Sequence, residues 1–136
     1  MRTKLAVVIA GTGLLLGVAP VSAHHAFSAE FDQNKPIKLK GSFVKWEMVN
    51  PHSWFHIDVK EPDGKIVSWL VEGGSPNQLI RMGVTKNTVP IGIELTVEGY
   101  QAKDGTNKAV GRNFLLADGK RLFLGGSAPG GTGDVK

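Results

Sequence analysis

The chain has 136 residues, of which 41% are hydrophobic, and its formal net charge is +4 at pH 7. This length is sufficient for one domain with a modest core. The basic residues are scattered among acidic ones instead of forming a run, which argues against a nucleic-acid-binding protein. The chain contains no cysteine, so a disulfide framework and thiolate chemistry are excluded.

The first 23 residues have the pattern of a secretory signal peptide. Met1–Lys4 is a short cationic start, Leu5–Val18 is an apolar run, and Val21–Ala23 supplies the small residues that a signal peptidase recognises. The apolar run is shorter than the roughly 20 residues that a membrane-spanning helix needs. We therefore expect cleavage before His24, export to the periplasm and no membrane span in the mature protein.

Alternation of apolar and polar residues predicts three strands after the signal peptide. These strands occupy residues 36–48, 53–60 and 66–71. The apolar pattern of the first strand changes phase after Gly41, which predicts a bend at a bulge there. The second strand alternates strictly, and its inward residues are Phe55, Ile57 and Val59. A Pro-Asp-Gly turn joins the second and third strands as a hairpin.

One short helix is predicted between the third and fourth strands. Ser75 can cap its start, Pro76 suits its first position, and Gly83 lies just past its end. Two or three further strands follow, at residues 93–101 and near 108–116 and 121–124, with Asp-Gly turns between them. This order predicts a mainly β protein with a small OB-fold-like, partly open β-barrel. A small sandwich of the same strands is the alternative, which the single helix disfavours.

The predicted organisation has four parts. They are a signal peptide at residues 1–23, an N-terminal extension at 24–35, the OB-like β-barrel domain at 36–124 and a disordered Gly-rich tail at 125–136.

Several segments of the chain resemble an uncharacterised bacterial family of small secreted proteins, domain of unknown function 6152. They are HHAFSAEFD after the signal peptide, KPIKLKGSFVKWEMVNPHSWFHIDV, VEGGSPNQLIRMG and VEGYQAKDG. The most specific part is NPH followed later by EGGSP. The resemblance implies an exported single domain with an OB-like barrel, and it assigns no chemistry to any residue.

Cleavage before His24 would make this residue a candidate metal ligand. The free α-amino group and the imidazole of an N-terminal histidine can chelate one metal ion, and copper(II) favours such nitrogen ligands. This placement is similar to the histidine brace of exported copper proteins, in which a second histidine from the folded domain completes the site. The predicted metal ligands are His24, His25, His52 and His56.

Strand geometry limits how these histidines can combine. Along one extended strand the Cα atoms of His52 and His56 would be about 13 Å apart, so only one of them should join the N-terminus. His52 is preferred because it follows Asn50-Pro51 in a turn, whereas His56 is fixed by its strand. Glu30 and Asp32 could complete the site. The structural alternative is a mobile His-His end and two exposed polar histidines.

A metal-free binding module is the alternative function. OB-like barrels bind ligands on the face of their second and third strands, where aromatic side chains serve as stacking platforms. The candidates are Trp54 on the second strand and Trp69 on the third. The partner would then be an unidentified periplasmic ligand or protein.

An enzyme is the least favoured function. The chain has no cysteine nucleophile and no Gly-x-Ser-x-Gly elbow, and Glu72 and Glu98 are single carboxylates on or beside strands. The sequence therefore predicts an exported, non-catalytic binding protein that uses copper or a similar metal.

Overall fold

The structure is a computed structural model, and it describes residues 27–130. In this part of the chain a helical turn at residues 27–30 precedes six strands and a short helix. The elements are β1 (Phe31–Glu47), β2 (Trp54–Lys60), β3 (Ile66–Glu72), α1 (Pro76–Arg81), β4 (Glu94–Ala102), β5 (Lys108–Leu116) and β6 (Arg121–Phe123).

The six strands form one sheet that closes in a ring. Their order is β3-β2-β1-β4-β5-β6, and a further pairing of β3 with β5 joins the two sides. The β3–β5 pairing is parallel, and the other pairings are antiparallel. The predicted mainly β, OB-fold-like architecture is confirmed, including the short helix between the third and fourth strands.

The long first strand differs from its prediction in two respects. It begins at Phe31 and not at residue 36, because Phe31 already pairs with Ala102 of β4, ahead of the pairing that continues from Pro36. The bulge in the pairing of β1 with β2 lies between Phe43 and Lys45, and not at Gly41. Gly41 has another reason to be glycine, because a Cβ there would lie 2.5 Å from the backbone oxygen of Asp58.

The inside of the ring holds the main hydrophobic core. The residues predicted to face inward from β2 are buried there, namely Phe55, Ile57 and Val59. Leu79 is the buried residue of α1, and Ser75 caps this helix by accepting a hydrogen bond from the Gln78 backbone N–H at 3.3 Å. The helix therefore closes one part of the core with a single apolar anchor.

A second, smaller cluster lies apart from this core. It consists of Phe27, Phe31, Ala102, Val110 and Ala128, and Tyr100 packs against it. Ala128 is only 6% exposed, although residues 125–136 are predicted to be a disordered tail.

Residues 125–130 thus pack against the ring instead of leaving it. The Arg112 Nε donates a hydrogen bond to the Gly130 carbonyl oxygen at 3.3 Å, which holds the end of this segment. Residues 131–136 of the predicted tail lie outside the described residues.

Within residues 27–130, no helix has the length and apolar character needed to cross a membrane.

Candidate functional site

His52 is held beside the end of β3 by two backbone hydrogen bonds. The Ser53 N–H donates to the Gly74 carbonyl oxygen, and the Gly73 N–H donates to the Ser53 carbonyl oxygen, both at 2.9 Å. Ser53 itself is fully buried, while His52 is half-buried. The imidazole Nδ1 of His52 lies 2.8 Å from Oε1 of Glu72, so that the two side chains form an ion pair when the ring is protonated.

Glu72 is a carboxylate on the outer face of the ring that is nevertheless buried. Its neighbour Val71 belongs to the main core, and side chains alternate along a strand, so Glu72 faces outward. In the sheet it pairs with Trp54 on β2 and with Val110 on β5, a member of the second cluster. We attribute the burial of Glu72 to this cluster and to the N-terminal segment that belongs to it.

The surroundings of Glu72 act on its pKa in opposite directions. Burial raises the pKa of the Glu72 carboxyl above its ordinary value, and the carboxylate of Glu30 raises it further. The charges of His52 and Lys108 lower it, but burial is the largest effect.

Lys108 connects the ring to the residues that precede β1. Its ammonium forms an ion pair with Glu30 and lies 4.9 Å from the ring centroid of Trp54 and 6.0 Å from that of Phe31. An ammonium at these distances from aromatic faces is attracted to them. The group formed by Glu30, His52, Trp54, Glu72 and Lys108 is called the outer site below.

His56 belongs to a different pair. Its Nε2 lies 2.9 Å from Oε1 of Glu47 on β1, in hydrogen-bond geometry, and Lys45 donates to the same oxygen at 2.8 Å. These two partners, Lys45 first, lower the pKa of the Glu47 carboxyl below its ordinary value. Both side chains of this pair are half-buried, and the pair lies on the β1 side of β2, whereas Glu72 lies on the β3 side.

The structure therefore separates the predicted metal ligands that it describes. His52 and His56 contact different carboxylates, and residues 27–130 contain no group of three or more His, Cys, Asp and Glu side chains able to hold a metal ion. His24 and His25 lie outside the described residues. Of the two acidic residues considered with them, Glu30 contributes to the outer site.

Asp32, the other acidic residue, is used locally. Its Oδ1 accepts a hydrogen bond from the Asn34 backbone N–H at 2.9 Å.

The two candidate tryptophans differ in their exposure. Trp69 is 8% exposed and belongs to the main core, where an external ligand cannot stack on its ring. This placement removes Trp69 from the predicted ligand-binding face. Trp54 is half-buried on the outer face, and one side of its ring is covered by Lys108.

Sequence reasoning missed Glu72 and Lys108 as parts of a site. Glu72 did carry a signal, because it follows the apolar run 69–71 and precedes Gly73-Gly74, and a buried carboxylate at such a position needs a partner. No comparable feature of the sequence pointed to Lys108. It reaches the outer site only because the parallel pairing of β3 with β5 sets it opposite Leu70.

The fold and this geometry define a small, mainly β protein of the OB-like type with a histidine–carboxylate site on its outer face. The chain belongs to a family of unknown function, DUF6152, whose model matches residues 13–112. No curated protein and no solved structure matches the chain.

Proposed function

We propose that the protein is an exported, non-catalytic binding protein that acts in the periplasm and binds copper(II) or a similar metal ion. His52 would supply one imidazole from the ring, and His24 and His25 would supply nitrogen ligands from the N-terminus made by signal cleavage. The signal-like residues 1–23 support export.

The observation that carries this proposal is that Glu30, which precedes β1, reaches the outer site to which His52 also belongs. Glu30 is paired with Lys108, and Glu30 and Lys108 both act on the carboxylate that contacts His52. Phe27 is buried in the second cluster and so anchors the chain two residues after His25.

The donor set suits copper(II) better than a hard cation. Imidazole and amine nitrogens are ligands that copper(II) takes readily, whereas magnesium and calcium prefer several oxygens. His52 has its Nδ1 against Glu72, and across the described part of the chain its Nε2 has no hydrogen-bond partner. This nitrogen is therefore the one available to a metal ion.

The two strand carboxylates considered for acid–base catalysis, Glu72 and Glu98, have different partners and do not contact each other, which supports a binding role. Glu72 contacts His52, and Glu98 accepts a hydrogen bond from the Asn113 Nδ2 at 2.7 Å and pairs with Arg121 at 3.2 Å.

The test is a copper(II) titration of protein that begins at His24, followed by paramagnetic resonance. Secretion from a bacterial host and mass measurement first establish whether residues 1–23 are removed. Three variants are compared: one alanine inserted before His24, His52→Ala, and His56→Ala as the matched control. His56 is the suitable control because its side chain is 34% exposed, as is that of His52.

We expect binding of one copper(II) ion with nitrogen hyperfine structure, lost in the first two variants and kept in His56→Ala. Equal binding by wild type and His52→Ala would contradict the proposal. The alternative is then a metal-free module that binds a ligand or protein at Trp54, and a Trp54→Ala variant would be the next protein to test against periplasmic partners.

A further inference from the structure

We infer that the end of β1 is a dimerisation edge, on which a second copy of this chain adds its own β1 as an antiparallel strand. The residues concerned are 44–48, which are called the β1 edge below. This inference is independent of the proposed metal function, because it uses neither the outer site nor the residues before β1.

One side of the β1 edge has no strand beside it. The pairing of β1 with β4 ends at Ser42, and only Phe43 continues it, through hydrogen bonds with Gly92 and Ile93. In the described part of the chain, residues 44–48 make no backbone hydrogen bond towards this side. Unpaired N–H and C=O groups along a strand are a template for pairing with a further strand.

The backbone of Trp46 points its N–H and C=O groups to this open side. In an antiparallel sheet, successive residues of a strand form hydrogen bonds alternately with the two neighbouring strands. On the β2 side of the ring, Ser53 is hydrogen-bonded to residues 73 and 74, just after β3, so Phe55 also bonds towards β3 and not towards β1. Trp46 lies opposite Phe55, and both of its backbone groups are therefore available to another strand.

The side chains of the β1 edge are self-complementary when two copies pair antiparallel around Trp46. Lys45 of each copy then lies opposite Glu47 of the other, and Val44 lies opposite Met48. The first pair brings opposite charges together, and the second brings two exposed apolar side chains together. Both copies use the same surface, as in other two-fold symmetric dimers. An edge protected against this pairing would instead carry charges of one sign, which repel when they are opposite each other.

Exposed apolar side chains surround this edge. Val44, Met48 and Val49 are each at least 39% exposed, and Ile91, beside the Gly92 that bonds to β1, is 74% exposed. Clustered exposed apolar residues mark a surface that a partner covers. Few residues take part, and interfaces below about 1,200 Å² of total buried area are typically weak. We therefore expect a dimer that dissociates on dilution.

The experiment measures the mass of the metal-free secreted protein by sedimentation equilibrium from about 10 μM to about 1 mM, where weak dimers dissociate. The variants are Lys45→Glu and the double variant Lys45→Glu, Glu47→Lys. Lys40→Glu is the matched control, because Lys40 is an exposed lysine of the same strand that pairs with Glu94 of its own copy at 2.9 Å. Hydrogen exchange of the Trp46 amide is followed by NMR at both ends of the concentration range.

We expect the wild type to form dimers within this range, and the Trp46 amide to exchange more slowly at the high concentration. Lys45→Glu should weaken the dimer about 10-fold, because each of its two symmetric charge pairs changes from attraction to repulsion. The double variant exchanges the two charges and should restore the wild-type dissociation constant. Lys40→Glu should leave this constant unchanged. Circular dichroism checks that each variant is folded.

Three results would overturn the inference. A wild type that is still monomeric at about 1 mM would mean that no second copy occupies this edge. A dimer that Lys45→Glu weakens and the double variant does not restore would exclude the pairing of Lys45 with Glu47 across the two copies. A dimer that Lys40→Glu weakens as much as Lys45→Glu would show that net charge controls association and not this edge.

Discussion

The two histidine–glutamate pairs on either side of β2 consist of the same residue types and differ in their surroundings. The nitrogen–oxygen distances are 2.8 Å in His52–Glu72 and 2.9 Å in His56–Glu47, and both imidazoles are 34% exposed. The carboxylates differ, because that of Glu72 is 4% exposed and that of Glu47 is 34% exposed. The pKa of Glu72 is raised and the pKa of Glu47 is lowered.

This contrast shows that the partner alone does not determine the behaviour of a carboxylate. A positive neighbour lowers a carboxyl pKa, but the loss of hydration on burial raises it, and at Glu72 the second effect is the larger. A surface pair such as His56–Glu47 is solvated and contributes little to folding. Only His52 therefore lies beside a buried carboxylate.

The largest expected effect comes from removing a ring of the second cluster, to which we attribute the burial of Glu72. Phe27→Ala should destabilise the protein by about 3 kcal/mol, because a buried phenylalanine ring is lost from the second cluster. It should also admit water to Glu72, whose pKa should fall towards the ordinary 4.5. Urea denaturation measures the stability, and carbon-13 NMR of the glutamate carboxyls measures the pKa.

The control for this variant is Phe114→Ala, in the main core. It should be at least as destabilising and leave the pKa of Glu72 raised. An unchanged Glu72 pKa in Phe27→Ala would mean that the N-terminal segment is not what buries this carboxylate.

The next largest effect is that Glu72 and Glu47 change the folding stability in opposite directions as the pH rises. Because the pKa of Glu72 is raised, its contribution to folding is fully present below pH 4.5 and is lost as the pH rises through the folded-state pKa. The pKa of Glu47 is lowered, so its contribution is present above pH 4.5 and is lost as the pH falls through the folded-state pKa.

The measurement is urea denaturation of metal-free wild type, Glu72→Gln and Glu47→Gln at a series of pH values below and above 4.5. The stability of wild type relative to Glu72→Gln should decrease with rising pH, and that relative to Glu47→Gln should increase. If the stability of wild type relative to each variant changed in the same direction with pH, the pKa values of Glu72 and Glu47 would not be shifted in opposite directions.

The smallest expected effect concerns the lysine that lies near each histidine–glutamate pair, Lys108 near Glu72 and Lys45 near Glu47. Lys108→Met keeps most of the apolar stem but removes the ammonium from Trp54 and Glu30, and should lower the stability by about 1 kcal/mol. It should also raise the pKa of Glu72 further, because Lys108 lowers it.

Lys45→Met is the matched variant at the other pair. It should raise the pKa of Glu47, since Lys45 is the largest cause of its lowering, and should lower the stability less than Lys108→Met does, because this pair is solvated. Equal stability losses in the two variants would show that the ammonium of Lys108 is no better placed than a surface lysine.

Local patterns in the sequence were enough to predict most of the fold. The strict alternation around Phe55, the Pro-Asp-Gly turn and the Ser75-Pro76 helix start each follow from interactions between near neighbours. The start of β1 at Phe31 and the burial of Ala128 depend on pairing or packing with distant residues, so the sequence pattern did not indicate them.

The same distinction explains what was predicted of the outer site. His52 was preferred over His56 because of the turn that precedes it, which is a local feature. The contact of His52 with Glu72 requires the register of β2 against β3, and the presence of Lys108 requires ring closure by β5. A residue type and its spacing cannot reveal a neighbour that is fixed by non-local pairing.

The parallel pairing of β3 with β5 has a consequence for folding. Its partners, such as Leu70 and Lys108, are far apart in the sequence, and such contacts form slowly because a long loop must close first. The outer site draws its side chains from before β1, from β2 and β3, and from β5, so it is complete only once the ring has closed. A ligand at this site would therefore stabilise the closed ring over any partly folded chain, and would slow its opening more than it speeds its formation.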